Sequence, residues 1–170
     1  MLFRSSMANL ASTYRSQGRW KEAKELQVLV METRKRVLGE EHPDSLMSMG
    51  NLASTYFSQG RWKEAEELGV LVMEMRKRVL GEGHPDSLMS MDNLALTYWN
   101  QGRWNEAEAL EELVMETRKR VLGEEHPDSL MSMANLASIY RSQGRLKEAE
   151  ELDVQMEAAK RLPAEEQPDS

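Results

Sequence analysis

Three short motifs recur along the chain at a fixed interval of 42 residues. Asn-Leu-Ala begins at Asn9, Asn51, Asn93 and Asn135, and Gln-Gly-Arg at Gln17, Gln59, Gln101 and Gln143. His-Pro-Asp begins at His42, His84 and His126. Residues 45–86 and 87–128 are identical at 32 of 42 positions. Self-similarity at this period means a stack of supersecondary units, each too small to bury its apolar face alone. It also argues against catalysis, because an active site needs unlike residues to converge.

Each period reads as a pair of helices. In the second copy, Pro43 suits a first helical turn, where its missing N–H costs nothing. Asp44 favours the positive end of that helix. Leu46, Met49, Leu52, Ala53 and Tyr56 follow at helical spacing. Gly60 supplies a C-cap and tight turn. A second helix is expected from about Arg61 to Leu80, with Trp62, Ala65, Leu68, Val72, Met73 and Val79 as its apolar stripe. Its acidic start (Glu64, Glu66, Glu67) and basic end (Arg76, Lys77, Arg78) match the helix dipole. Gly81 closes it, and Gly81 to Pro85 form the link. The sequence therefore predicts an all-α chain of eight helices in four antiparallel pairs.

The residues of each unit resemble the tetratricopeptide repeat, W-x₂-L-G-x₂-Y, then A-x₃-F, then P. Met49-x₂-Leu52-Ala53-x₂-Tyr56 is similar to its first helix, with Met for Trp and Ala for Gly. Ala65 resembles the small residue of its second helix. The aromatic expected four residues later is replaced by Gln27, Gly69, Glu111 and Asp153. The repeat length and the link Leu38 to Asp44 (Leu-Gly-Glu-x-His-Pro-Asp) resemble the longer subclass of kinesin light chains. They resemble still more the sensor arrays of fungal NOD-like receptors, which also carry near-identical copies. The resemblance implies a right-handed superhelical solenoid that binds a peptide or protein partner in its concave groove.

Units fall at about 1–42, 43–84, 85–126 and 127–162, forming one array over 1–162. Residues 163–170 read as a tail that starts an incomplete fifth unit, so the chain reads as a fragment or decayed copy of a longer array. The last helix is expected to stop near Arg161.

Composition narrows the function classes. Hydrophobic residues make up 40% and charged residues 30% of 170, enough apolar content to fold. A net charge of −7 argues against nucleic-acid and anionic-membrane partners. No cysteine occurs, which removes disulfides, thiolate nucleophiles and Cys-ligated zinc. The N-terminal residues lack a signal-peptide apolar region, and no stretch approaches a membrane span. The expected location is the cytoplasm. No P-loop, G-x-S-x-G, H-E-x-x-H or G-x-G-x-x-G pattern occurs, and no cofactor or metal is expected. The three histidines, one per link, read as residues that pack or hydrogen-bond at the turn.

Two sets of residues are binding candidates. Asn9, Asn51, Asn93 and Asn135 recur mid-helix, where Asn is a mediocre former and wants a reason. The resemblance places them in the concave groove, where amides could hold a bound backbone; an inter-unit hydrogen bond that fixes stacking is the alternative. The second set is the columns that differ. Among the first three units the first-helix differences after Met7 are Ala8/Gly50/Asp92, Ser12/Ser54/Leu96, Arg15/Phe57/Trp99 and Ser16/Ser58/Asn100. Their spacing, i, i+4, i+7, i+8, is one helix face. Arg141 returns at the Arg15 column in the fourth unit. A core could not change Arg to Phe to Trp without repacking, whereas a ligand-reading surface can. The candidate groove thus holds Asp92, Leu96, Trp99, Asn100 and Phe57, flanked by Arg15 and Arg141. Drift on an exposed face is the plain alternative. The runs Arg34–Arg36, Arg76–Arg78 and Arg118–Arg120 read as dipole partners with nearby glutamates, and Trp20, Trp62 and Trp104 read as core. A structural module that self-associates head to tail through its end units is the alternative to a groove binder.

Overall fold

The computed structural model describes residues 10–14 and 16–161, in two compact units, Met1–Gln101 and Gly102–Ser170. In the first unit, a helical stretch over 10–14 precedes α1 (Trp20–Leu38), α2 (Pro43–Ser58), α3 (Trp62–Leu80) and α4 (Pro85–Asn100). The second contains α5 (Trp104–Leu122), α6 (Pro127–Ser142) and α7 (Leu146–Arg161). No strand occurs among the described residues. Within each unit, every helix from α1 to α4 and from α5 to α7 packs on its sequence neighbour, and α2 also meets α4. The last helix runs through Arg161, the last described residue.

The invariant residues of the turns explain themselves locally. Gly60 has φ +71°, and the N–H of Arg61 donates back to the Tyr56 carbonyl at 2.9 Å. This closure needs a left-handed residue, which glycine supplies without a Cβ penalty. The Arg61 guanidinium then lies 4.4 Å from the centre of the Tyr56 ring and donates to Glu64 at 2.6 Å. The same cation–π pair joins Arg19 to Tyr14 and Arg145 to Tyr140. In the links, the Nδ1 atoms of His42, His84 and His126 accept the N–H groups of Asp44, Asp86 and Asp128, each at 3.1 Å. Each histidine is therefore the N-cap of the following helix, with proline at its first turn.

The core follows the apolar columns, with two corrections. Leu46, Met49, Leu52, Ala65 and Val72 are buried, and Ala107, Val114, Met133 and Leu136 repeat the pattern in the second unit. Val79, expected in the apolar stripe, is 41% exposed, and Trp104, expected in the core, is 40% exposed. Trp62 is half-buried and meets Phe57 edge to face, with ring centres 5.0 Å apart. The tryptophan column thus covers the turn between paired helices instead of filling the centre. The first arginine of each basic run is buried instead: Arg34, Arg76 and Arg118 are 9%, 7% and 6% exposed. Each donates to the backbone carbonyl of Asp44, Asp86 or Asp128 in the next helix. The second member behaves as expected, with Lys35 paired to Glu40 and Lys77 to Glu82. Among the described residues no helix is long and apolar enough to cross a membrane.

Candidate functional site

Helix periodicity places Gly50, Ser54, Phe57 and Ser58 along one face of α2, and Asn93, Leu96 and Thr97 on the neighbouring α4. With α3 as floor, these faces enclose an open cavity of about 130 Å³. Phe57, Val72, Leu94 and Leu96 supply its apolar walls, and Asn93, Ser90 and Arg76 its polar lining. Three residues singled out from the sequence, Phe57, Asn93 and Leu96, therefore converge on one site. Leu96 is 44% exposed and the Asn93 amide also faces solvent, while Leu94 beneath is 2% exposed.

One repeat earlier the same columns build a smaller crevice. Ala11, Ser12, Val30, Arg34, Ser48 and Asn51 line a cavity of about 80 Å³ together with Gln27. Gln27 occupies the column of Gly69, is 7% exposed, and donates weakly to the Asn51 carbonyl at 3.5 Å. In the second unit that column holds Glu111, 3% exposed, which accepts from the Asn135 amide at 3.5 Å. Gln27 thus stands in the crevice of its repeat, and Gly69 leaves the same column vacant. Gly69 lies inside α3 and Gly50 inside α2, where glycine costs roughly 0.5–1 kcal/mol relative to alanine.

The remaining candidates are distributed as follows. Asn51 is exposed on α2, and Asn135 is half-buried and bonded to Glu111, the arrangement expected of a stacking amide. Asp92 is half-buried on α4. Trp99 is 38% exposed on α4, close by in helical position but outside the lining of the cavity. Asn100 donates to the Leu96 carbonyl at 2.8 Å and so closes its own helix end. Arg141, in the second unit, forms an ion pair with Asp153 of α7. Asn9 and Arg15 lie outside the described residues.

Comparison between copies passed over two features of this face because they do not vary. Met47, Met89 and Met131 are 44%, 45% and 49% exposed, four residues before each asparagine and hence on the same face. Arg76 stands in a run that reads from the sequence as dipole partners with nearby glutamates. Burial lowers the pKa of Arg76, and the field of Asp86 offsets only part of that cost. Helical-wheel placement would have found the methionines; nothing in the sequence marked the arginine. Among the described residues no group of three or more His, Asp or Glu is arranged to hold a metal.

Comparison with known proteins agrees with this architecture. The tetratricopeptide repeat family matches over residues 3–78, 87–128 and 129–156, so the chain belongs to that family. It is similar in structure to the Podosopora anserina kinesin light chain-like protein of nearly identical TPR-like repeats. There the identity is 35%, over 92% of this chain and 74% of that one, with a TM-score of 0.82. BtubC (BKLC) from P. vanneervenii shares the fold at 21% identity, over 99% of this chain and 69% of that one, with a TM-score of 0.83. The apo form of RapI shares it at 12% identity, over 98% of this chain and 44% of that one, with a TM-score of 0.77. No curated protein sequence matches the chain. Family members are generally protein-interaction scaffolds, typically without catalysis.

Proposed function

We propose that the chain is a non-catalytic scaffold that holds an extended peptide segment of a protein partner on the exposed faces of α2 and α4. The convergence of Phe57, Asn93 and Leu96 on one open cavity carries the reading. An apolar slot beside an exposed amide suits a peptide: a side chain enters the slot while the amide holds main chain. The exposed Met89, Leu96 and Trp99 continue the apolar surface along α4, and exposed apolar groups clustered on one face favour a partner over drift. Asn51, Asn135, Arg15, Arg141 and Asn9 extend the same proposal to the other copies, as four units of one array. A cytoplasmic sensor role, of the kind implied by the resemblance to fungal NOD-like receptor arrays, would use this face.

The test is selection of peptides from a random display library on the whole chain, with hits re-measured on variants. A buried anchor costs about 2 kcal/mol or more when truncated, whereas a neutral hydrogen bond contributes about 0.5–1.5 kcal/mol. Leu96→Ala and Trp99→Ala should therefore weaken binding more than Asn93→Ala, with Lys63→Ala, on the exposed side of α3, without effect. Hits that bind Leu96→Ala and Trp99→Ala as tightly as wild type would refute the proposal. Growth of the particle mass with concentration, with no peptide enriched, would instead favour the assembly role.

A further inference from the structure

The cavity between α2, α3 and α4 is lined by two glycines, and in the sequence both of their columns carry a carboxylate one repeat later. Gly50 stands in the column of Asp92, and Gly69 in the column of Glu111. Both glycines line the cavity, and so does Arg76. A Cβ placed on Gly50 would lie 4.0 Å from Nη2 of Arg76, with no other heavy atom within that distance. A carboxylate carried on such a Cβ would reach the guanidinium directly. A Cβ on Gly69 would meet only Leu94, at 3.4 Å, so the floor of the cavity is open above an apolar contact.

Arg76 is 7% exposed, and its one hydrogen bond runs from Nη1 to the Asp86 backbone carbonyl at 3.0 Å. No carboxylate among the described residues forms a salt bridge with it. The Asp86 carboxylate offsets only part of the cost of burying this cation, and an anion delivered into hydrogen-bond contact with it is bound strongly for the same reason. The walls formed by Phe57, Val72, Leu94 and Leu96 suit the methylenes that would carry that anion. Bidentate pairing of guanidinium with carboxylate favours a planar carboxylate over other anions.

We infer that this cavity is a side-chain pocket for an acidic residue, Glu or Asp, of the bound peptide, which pairs with Arg76 in the space left by Gly50 and Gly69. The inference rests on the peptide-scaffold reading and names what the second repeat selects. The two glycines act as specificity determinants: they stand where the third copy carries Asp92 and Glu111 and leave the arginine for a partner's carboxylate.

Two experiments test it, and they fail separately from the scaffold reading. The first needs no ligand. Gly50→Asp should rebuild the ion pair internally and melt several degrees above Gly50→Asn, which has the same shape without the charge. Equal melting points, or a lower one for Gly50→Asp, would overturn the charge complementarity whatever peptides do. The second uses peptides selected on wild type. They should share a Glu or Asp at one register, lose at least tenfold in affinity when it becomes Gln or Asn, and lose at least tenfold on Gly50→Asp and on Gly69→Gln. Peptides that depend on Leu96 and Trp99 yet lack a common acidic residue, or bind Gly50→Asp unchanged, would refute the acidic pocket and leave the scaffold standing. If no peptide is enriched, both fall.

Discussion

Replacing Gly69 by alanine isolates what the open cavity costs the fold. Gly69 is helical, in the middle of α3, and its Cα is half-buried. Alanine removes the backbone-entropy cost of glycine, roughly 0.5–1 kcal/mol in a helix interior. The added methyl meets one heavy atom, Leu94 Cδ1, at 3.4 Å. That is ordinary van der Waals contact at its close end, against the flexible tip of a side chain. Complete burial of a methyl group gains about 0.8 kcal/mol, and a partly open cavity returns only a fraction of it. A net gain of about 1 kcal/mol follows, which for a domain of this size raises the melting midpoint by about 2–4 °C.

The assay is thermal and urea unfolding followed by far-ultraviolet circular dichroism, on wild type, Gly69→Ala and Gly50→Ala. Gly50→Ala is the partner control, because its Cβ would find only Arg76 Nη2 at 4.0 Å. Both variants should be stabilised. A lower midpoint for Gly69→Ala would show that Leu94 cannot yield and that the glycine is required by packing. The account of Gly69 as a residue kept open for a ligand would then be wrong.

Three further outcomes are expected. Deleting the block 45–86 should leave a helical, cooperatively melting protein of lower stability, since energy in stacked repeats resides in units and their interfaces; loss of all helical signal would contradict this. His84→Ala removes the N-cap of α4 and should cost about 0.5–2 kcal/mol in urea unfolding, with little change indicating that Asp86 or solvent replaces it. Tyr140 is pushed up to about 12 by burial and by the hydrogen bond it donates to Glu112. The unfolded chain loses that proton near pH 10 while the folded chain keeps it, so stability should fall as pH rises from 10 towards 12; comparison of ultraviolet absorbance titrations of wild type and Tyr140→Phe reads the group directly.

The architecture was legible because it rests on columns repeated almost without change. Leu46, Met49 and Leu52 recur at helical spacing, and Pro43 and Gly60 mark the helix ends by backbone constraints that hold in any context. Where sequence reasoning missed, the reason was three-dimensional. Val79 has the right period but lies in the last turn of α3 and is exposed. Trp104 recurs with Trp62, yet the residue that meets Trp62 is Phe57, at a position that differs between copies. Arg76 has a side chain long enough to carry its charge back from the helix end into the interior and hold the Asp86 carbonyl. The candidate site was half legible. Variation between copies found Phe57 and Leu96, and recurrence found Asn93. Neither could reveal that Gly69 opens the space they share, because the consequence of a missing side chain depends on what would have filled it.

Near-identity of the copies gives that missing side chain its weight. Each crevice within a unit is built from the same columns of paired helices, so a change in one column alters one crevice and leaves the stack intact. Two glycines in helix interiors cost roughly 1–2 kcal/mol together relative to alanine, a large share of the marginal stability of a domain. Drift on an exposed face explains Ser58 against Asn100 without difficulty, since neither touches the core. It does not explain why both costly glycines line the same cavity, at columns where the third repeat carries Asp92 and Glu111, around a buried arginine. A repeat that had merely decayed would lose side chains without regard to what they face. The buried arginine recurs in the first and third copies, and what sets this one apart is the pair of vacancies beside it, which the proposed pocket for an acidic side chain requires.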